Sequence, residues 1–180
     1  MKIISGKYKG RNIEGFMIDG TRPTMDRVKE SLFAMIQSYL GESLVLDLFS
    51  GSGNLAIEAL SEGARKAVLV DSNYKAIKVI ENNIKTIGIE NTKVLNMDYK
   101  KAIEHLKDEK FDIIFLDPPY KTDYIEEAIK LIENNNILSD DGIIVCESDD
   151  LNKIVYSDNY KNIKEKKYGD KYIVILKKIC

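Results

Sequence analysis

Short apolar segments alternate with amphipathic segments from residue 44 onward, and this alternation restricts the fold more than any other feature of the chain. Five apolar segments have the length and composition of buried strands: residues 44–48, 67–70, 93–96, 113–116 and 143–146. In the stretch 73–87, four isoleucines recur at helical spacing on one face. Strands that alternate with helices predict an α/β fold in which helices cover both faces of a parallel sheet.

The last part of the chain departs from this alternation. Residues 160–167 and 171–177 flank Tyr168-Gly169-Asp170, which is a turn signal, and no helical pattern lies between them. We therefore expect an antiparallel β-hairpin at the C-terminal edge of a mostly parallel sheet. The stretch 133–136, which precedes the fifth predicted strand, is expected to be a polar loop.

The first forty residues are predicted to form a small β/helix extension of the sheet domain. Residues 2–5 and 11–13, which are joined through glycines, favour a small glycine-rich β-element. Thr24 can cap a helix from about residue 25 to residue 39, because its hydroxyl can accept a hydrogen bond from a free amide of the first turn.

Composition and charge exclude several classes of protein. The chain has 180 residues, of which 44% are hydrophobic and 31% charged, as in an ordinary globular domain. No apolar run is long enough to span a membrane and no export signal precedes the domain, so we expect a cytoplasmic protein. Two cysteines and one histidine are too few for a disulfide framework or a zinc cage, and no metal is expected.

The charge is unevenly distributed along the chain. Residues 1–30 carry seven basic groups against four acidic ones, although the net charge of the whole chain is −2. A basic segment on an acidic body can position a polyanion such as a nucleic acid. From charge alone, a solvated surface segment explains the pattern equally well.

The first chemical motif is a glycine-rich turn after the first predicted strand, with the sequence Asp47-Leu48-Phe49-Ser50-Gly51-Ser52-Gly53. Glycines at such a junction let a ligand approach the backbone closely and leave amides free to donate. Asp71 and Asp98 follow the next two strands, where carboxylates can accept hydrogen bonds from ribose hydroxyls and from an adenine amine. Taken singly, each acid is better explained as a helix cap. A dinucleotide-binding fold would give the same pattern, so a nicotinamide enzyme also stays open.

The sequence Asp117-Pro118-Pro119-Tyr120 follows the fourth predicted strand and distinguishes between these possibilities. Two consecutive prolines fix the backbone and withhold two amide donors, so the Asp117 carboxylate and the Pro118 carbonyl present a rigid row of acceptors. An exocyclic amine of a nucleobase can donate to both acceptors while the ring of Tyr120 stacks on the base. These bonds localise the nitrogen lone pair for attack on a sulfonium methyl group, and they stabilise the transition state more than the ground state.

At these motifs the chain resembles the class I S-adenosylmethionine-dependent methyltransferases, and more narrowly the RsmD family of 16S rRNA guanine-N2 methyltransferases. The narrower resemblance covers nearly the whole chain and includes the stretches 6–11, 21–33, 47–55, 58–61 and 117–120. Its most specific part is Arg22-Pro23-Thr24, because methyltransferases in general share the glycine and proline motifs without this stretch.

The resemblance implies a Rossmann-like class I methyltransferase fold with a seven-stranded sheet. Residues 1–40 would form an RNA-contacting extension, and residues 41–180 the S-adenosylmethionine-dependent domain. The implied cofactor is S-adenosylmethionine, and the implied partner is 16S rRNA or the small ribosomal subunit, with no membrane and no metal; we expect a monomer. The expected cofactor-binding residues are Asp47, Phe49, Gly51, Gly53, Asp71 and Asp98. The expected catalytic residues are Asp117, Pro118, Pro119 and Tyr120, and the expected RNA-binding residues are Lys7, Lys9, Arg11, Arg22 and Arg27.

Other functions remain open at the level of the sequence. An amine methyltransferase acting on DNA adenine or on a protein glutamine needs the same row of acceptors. A catalytically silent RNA-binding subunit would keep the fold, but it has no reason to retain the motif at residues 117–120. A nicotinamide oxidoreductase would leave that motif without a role, and it would bind NAD rather than S-adenosylhomocysteine.

Overall fold

A computed structural model of the chain describes residues 1–16 and 26–179, in which a seven-stranded sheet lies between two layers of helices. The strands are β1 (Leu44–Asp47), β2 (Lys66–Asp71), β3 (Thr92–Asn96), β4 (Phe111–Leu116), β5 (Leu138–Ser148), β6 (Tyr160–Tyr168) and β7 (Lys171–Lys178). The helices are α1 (Asp26–Met35), α2 (Gln37–Leu40), α3 (Asn54–Ser61), α4 (Tyr74–Ile87), α5 (Tyr99–His105) and α6 (Tyr124–Asn135). A short 3₁₀ helix, Leu151–Lys153, follows β5.

The strand order is β3-β2-β1-β4-β5-β7-β6, and the first five strands are parallel to one another. β7 pairs antiparallel with both β5 and β6, so the predicted C-terminal hairpin and the mostly parallel seven-stranded sheet are confirmed. The order of the parallel strands reverses between β1 and β4. In open α/β sheets, ligands bind in the crevice that forms at such a reversal, at the carboxyl ends of the strands.

Alternate residues of the central strands are buried in different layers, as the period of a strand requires. Val45 of β1 belongs to the core that α1, α3 and α4 cover, whereas Leu46 belongs to the core that α5 and α6 cover. Both side chains are fully buried. None of the helices in the described ranges is long and apolar enough to cross a membrane.

One loop prediction and one helix prediction need correction. The stretch 133–136 is not a loop, because α6 continues to Asn135 and ends at Asn136, which takes the left-handed conformation with φ of 51°. The predicted helix 25–39 is two helices, α1 and α2, interrupted at Ile36, whose φ and ψ of −106° and 9° lie outside the helical region. The side chain of Ile36 is fully buried at this break. The predicted cap, Thr24, lies outside the described residues.

The N-terminal segment forms less regular structure than its sequence predicts, and part of it is held against helix α3. The predicted β-element is a single antiparallel bridge between Lys2 and Asn12. The segment is attached at Gly6, where the left-handed φ of 88° and the approach to the Ser61 carbonyl leave no room for a Cβ atom. The Lys7 amide donates to that carbonyl at 2.8 Å.

A buried ion pair fixes the same segment to the sheet domain. The Lys29 ammonium group of α1 lies 3.0 Å from the Glu58 carboxylate of α3, and both side chains are inaccessible to solvent. The Glu58 carboxylate also accepts the backbone amides of Ile4 and Ser5, at 2.8 and 3.2 Å. Removing one partner of such a pair leaves an uncompensated buried charge and costs about 3–5 kcal/mol. The pair therefore links the N-terminal segment, α1 and α3 into one unit.

Candidate active site

The carboxyl ends of β1, β2 and β4 border a cavity of about 260 Å³ at the reversal of strand order. Of the ten residues that the sequence predicts for cofactor binding and catalysis, seven lie on the wall of this cavity: Asp47, Phe49, Gly51, Asp71, Asp98, Asp117 and Pro119. The other three, Gly53, Pro118 and Tyr120, lie in the same loops but not on the wall. The structure thus brings the glycine motif and the proline motif to one cavity.

Asp71 holds the glycine-rich turn in place. One oxygen of its carboxylate accepts the Gly51 amide at 2.9 Å, and the other accepts the Asn73 amide at 2.9 Å. Gly51 and Gly53 both have positive φ, 58° and 84°, which other residues rarely adopt. Burial raises the pKa of Asp71, and the two amide bonds oppose this change. The shape of the turn therefore depends on the carboxylate of the neighbouring strand.

Asp98 is a helix cap that also lines the cavity. Its carboxylate accepts the Lys100 amide at 2.8 Å at the start of α5, as the helix-cap interpretation predicts. The same residue lies on the cavity wall. The cap and the predicted adenine contact are therefore compatible, and the adenine contact stays a prediction.

Asp47 is almost fully buried at the end of β1, and its hydrogen bonds are long. The Phe49 amide lies 3.4 Å from one oxygen and the Ser50 hydroxyl 3.3 Å from the other. Burial raises the pKa of Asp47 to about 7, a change that these two bonds oppose and the nearby charge of Asp71 reinforces. Near neutral pH, Asp47 therefore exchanges between its protonated and ionised forms.

Asp117 lies on the cavity wall at the end of β4. Burial raises the pKa of its carboxyl group well above the usual range, and the carboxylates of Glu147 and Asp47 raise it further, whereas the ammonium group of Lys171 lowers it. Pro119 lies beside Asp117 on the wall, and its carbonyl accepts the Thr122 hydroxyl at 2.7 Å. The motif therefore has a charged environment that its four residues do not themselves indicate.

Tyr120 faces Lys171 rather than the cavity wall. The Lys171 ammonium group lies 5.2 Å from the centre of the Tyr120 ring. Lys153 donates a hydrogen bond to the Tyr120 carbonyl, which attaches the motif to the 3₁₀ helix after β5. The predicted stacking of this ring on a base stays a prediction.

Three aromatic rings form an apolar part of the wall, and two of them were not predicted from the sequence. The ring of Phe49 lies 5.1 Å from that of Tyr99 and 6.0 Å from that of Tyr124, and the second pair is nearly parallel at 8°. The two tyrosine rings are 5.1 Å apart. A planar group such as adenine can pack against rings of this kind. Their position in the sequence could have indicated that these tyrosines lie on the wall, because Tyr99 and Tyr124 each begin a helix that follows a strand of the sheet.

Asn54, the first residue of α3, is a third residue that sequence reasoning missed. Its side-chain oxygen accepts the Lys29 ammonium group at 2.8 Å, which fixes the orientation of the amide. Its Nδ2 atom is buried and has no hydrogen-bond partner within the described residues, although Asn54 lies on the cavity wall. The amide can therefore donate to an acceptor group of a bound molecule.

Four of the predicted RNA-binding residues, Lys7, Lys9, Arg11 and Arg27, do not lie on the cavity wall, and the fifth, Arg22, lies outside the described residues. Lys7, Lys9 and Arg27 are exposed. Arg11 has structural contacts, because its guanidinium group donates to the Ile87 carbonyl and lies 5.3 Å from the centre of the Tyr8 ring. No cluster of metal-binding side chains occurs among residues 1–16 and 26–179.

The chain is similar to known proteins over almost its whole length. The family described as Conserved hypothetical protein 95 matches residues 1–177. The Bacillus subtilis protein YlbH is 41% identical, with 83% of each chain covered. Ribosomal RNA small subunit methyltransferase D of Haemophilus influenzae is 34% identical, covering 94% of this chain and 89% of that one. The solved structure of the Escherichia coli protein yhhF has a TM-score of 0.89 and 32% identity, and it covers 99% of this chain and 97% of the other.

Replacing Asp47 by Asn should change how stability depends on pH. Between the unfolded pKa of 3.8 and the folded value of about 7, the folded wild type binds a proton that the unfolded chain does not, so this group stabilises the fold less as the pH rises. The side-chain amide of the variant would not titrate. The free energy of unfolding of Asp47→Asn should therefore rise relative to wild type across this range, by up to about 4 kcal/mol. Urea unfolding of both proteins at pH 4 to 8 measures the difference in the free energy of unfolding. A difference that does not change with pH would contradict the raised pKa of Asp47.

Proposed function

We propose that this chain, which belongs to the family described as Conserved hypothetical protein 95, transfers a methyl group from S-adenosylmethionine to the exocyclic N2 amine of a guanine in 16S rRNA. One observation carries the proposal: the glycine turn with Asp71 and the acceptor motif with Asp117 line the same cavity. The relative named ribosomal RNA small subunit methyltransferase D, similar over most of its length, supports an RNA substrate.

The residues of the cavity fit S-adenosylmethionine. The Asp71 carboxylate accepts hydrogen bonds from two backbone amides. Its oxygens have further lone pairs that can accept hydrogen bonds from the hydroxyls of a ribose. The rings of Phe49, Tyr99 and Tyr124 offer a surface for adenine, and Asp98 stands beside them on the wall. The turn at Gly51 and Gly53 lets the ligand approach the backbone closely.

The acceptor motif orients and polarises the amine that receives the methyl group. S-adenosylmethionine supplies an electrophilic methyl carbon when it is bound. Asp117 and the Pro118 carbonyl accept the two N–H bonds of the guanine amine, which turns its lone pair toward that carbon. The nitrogen gains positive charge during transfer, so the ionised carboxylate of Asp117 stabilises the transition state more than the ground state. Tyr120 is the proposed stacking platform for the base, next to the cavity wall.

The basic N-terminal extension, residues 1–40, would hold rRNA phosphates through Lys7, Lys9 and Arg27, which are exposed in the structure. Arg11 contributes its charge while its guanidinium group remains bound to the Ile87 carbonyl. Arg22 is the remaining proposed contact. The buried pair between Lys29 and Glu58 fixes this extension to the helix that follows the glycine turn. The proposed RNA contacts therefore keep a fixed position relative to the cavity.

Replacing Asp71 by Ala should weaken binding of S-adenosylhomocysteine, the demethylated cofactor. The change removes the proposed charge-assisted bonds to ribose and also releases the Gly51 amide, so affinity should fall by on the order of 1.5–3 kcal/mol, roughly 10- to 150-fold. Titration calorimetry measures this directly. Asp108→Ala, an exposed acid in the loop before β4, is the matched control and should bind normally. Unchanged affinity in Asp71→Ala, or binding of NAD instead, would rule out the assigned cofactor site.

The rRNA specificity is tested by mapping modified nucleotides. Mass spectrometry of 16S rRNA should detect one N2-methylguanine in cells that carry the gene and unmodified guanine at that position in cells that lack it. Purified protein with S-adenosylmethionine should restore the modification on rRNA or small subunits from the deficient cells. Identical modification in both strains would contradict the proposal, and loss of a methylated adenine instead would show that the base was wrongly assigned.

A further inference from the structure

Two charged side chains are buried behind Asp117, and neither lies on the cavity wall. Glu147 is near the end of β5, and Lys171 is the first residue of β7. The Lys171 ammonium group lies 2.8 Å from the Glu147 carboxylate, with side-chain exposures of 10% and 3%. Burying two charges is costly, and the pairing only offsets that cost. The proposed methyl transfer by Asp117 and the Pro118 carbonyl gives this pair no role.

The strand register places Glu147 beside Asp117. Leu116 of β4 pairs with Cys146 of β5, and Asp117 and Glu147 each follow one residue later. Burial raises the pKa of Asp117, and the nearby charge of Glu147 raises it further. Two adjacent carboxyl groups can be joined by a hydrogen bond only when one of them carries a proton, because ionised carboxylates only accept. Asp117 and Glu147 therefore form a dyad that can hold a shared proton.

The charges around the dyad set how many protons it can hold. Without a proton, the two carboxylates and the Lys171 ammonium group have a net charge of −1, and with one proton they are neutral. A second proton would leave the ammonium group without a counter-charge in a buried site, which is strongly unfavourable. The other titratable groups that face Asp117 are Asp47 on β1 and the hydroxyl of Tyr120, and burial disfavours the charged form of both. The group therefore accommodates a single proton.

We propose that the Asp117–Glu147 dyad, with Lys171 as its counter-charge, accepts the proton that the target amine loses on methylation. This inference rests on the proposed function. The amine nitrogen forms a bond to the methyl carbon, and the carbon–sulfur bond breaks with its electron pair remaining on sulfur. The nitrogen then carries one proton too many, which passes to Asp117 and is shared with Glu147. The dyad returns it to solvent when the product leaves. Glu147 and Lys171 are positioning residues in this scheme, because only Asp117 reaches the cavity.

The proposal predicts opposite shifts in the pH dependence of methyl transfer. The dyad must be unprotonated to accept a proton, so the single-turnover rate should rise with pH on the acidic side of its pH profile. This rise is the acidic limb of the profile. Lys171→Met removes the charge that favours ionisation, so the limb should move to higher pH by about one unit. Glu147→Gln removes the like charge beside Asp117, so the limb should move to lower pH by a similar amount. A purely structural role would lower the rate without opposite shifts.

Two further variants serve as controls for these shifts. Lys171→Arg keeps the charge and should retain the wild-type limb, and Lys130→Met, on the exposed face of α6, should also leave it unchanged. If Lys171→Met does not fold, as circular dichroism would show, the isosteric Glu147→Gln variant still tests the direction of the shift. Limbs that stay in place, or that move in the same direction in both variants, would overturn the proposal.

A second measurement separates this inference from the proposed function. Carbon-13 NMR of the side-chain carboxyls follows the titration of Asp117 in the protein without substrate. Its midpoint should move up in Lys171→Met and down in Glu147→Gln. Failure of wild-type protein to methylate 16S rRNA would contradict the proposed function, whereas an active wild type with unshifted midpoints would contradict the dyad alone.

Discussion

Parallel strands that end side by side bring the carboxylates of Asp47, Asp71 and Asp117 to one buried edge, and the surrounding structure depends on how their charges are accommodated. Each is accommodated differently. Asp71 accepts two backbone amides, Asp47 holds a proton for much of the time near neutral pH, and Asp117 lies beside Glu147, whose charge Lys171 balances. The glycine turn, the start of α4 and the C-terminal hairpin are all positioned by these contacts.

The hairpin has a chemical role in this arrangement as well as a structural one. It is antiparallel to the rest of the sheet, so the first residue of β7 returns to the edge where the parallel strands end. Lys171 thereby reaches Glu147 from the opposite direction along the sheet. A parallel strand at this position would begin at the other edge and could not provide an ammonium group there at its first residue. The change of strand direction thus brings a cation to an edge that otherwise gathers carboxylates.

The sequence alone was sufficient for the seven strands of the sheet, for the helix α4 and for the carboxylates at the ends of β1, β2, β3 and β4. Those predictions depend on local patterns, since apolar periodicity and position in the chain determine them. It was not sufficient for Glu147 and Lys171, which are 24 residues apart and meet only through the register between β5 and β7. Long-range contacts also determine the position of Lys29. The sequence counts this residue only as one of the basic groups of residues 1–30, whereas in the fold it is buried against Glu58. The break at Ile36 gave no local signal, because the helical pattern continues through it.

In the proposed mechanism, Asp117 acts on the target amine and not on the cofactor. Single-turnover transfer of a labelled methyl group to 16S rRNA or small subunits that lack the modification measures this most directly. Asp117→Ala should lower the transfer rate by on the order of 100-fold or more while S-adenosylhomocysteine binds normally, because the lost interaction forms mainly in the transition state. Asp117→Asn, which keeps one carbonyl acceptor, should lose less. A near-normal rate in Asp117→Ala, or a loss of rate matched by a loss of cofactor affinity, would contradict the claim.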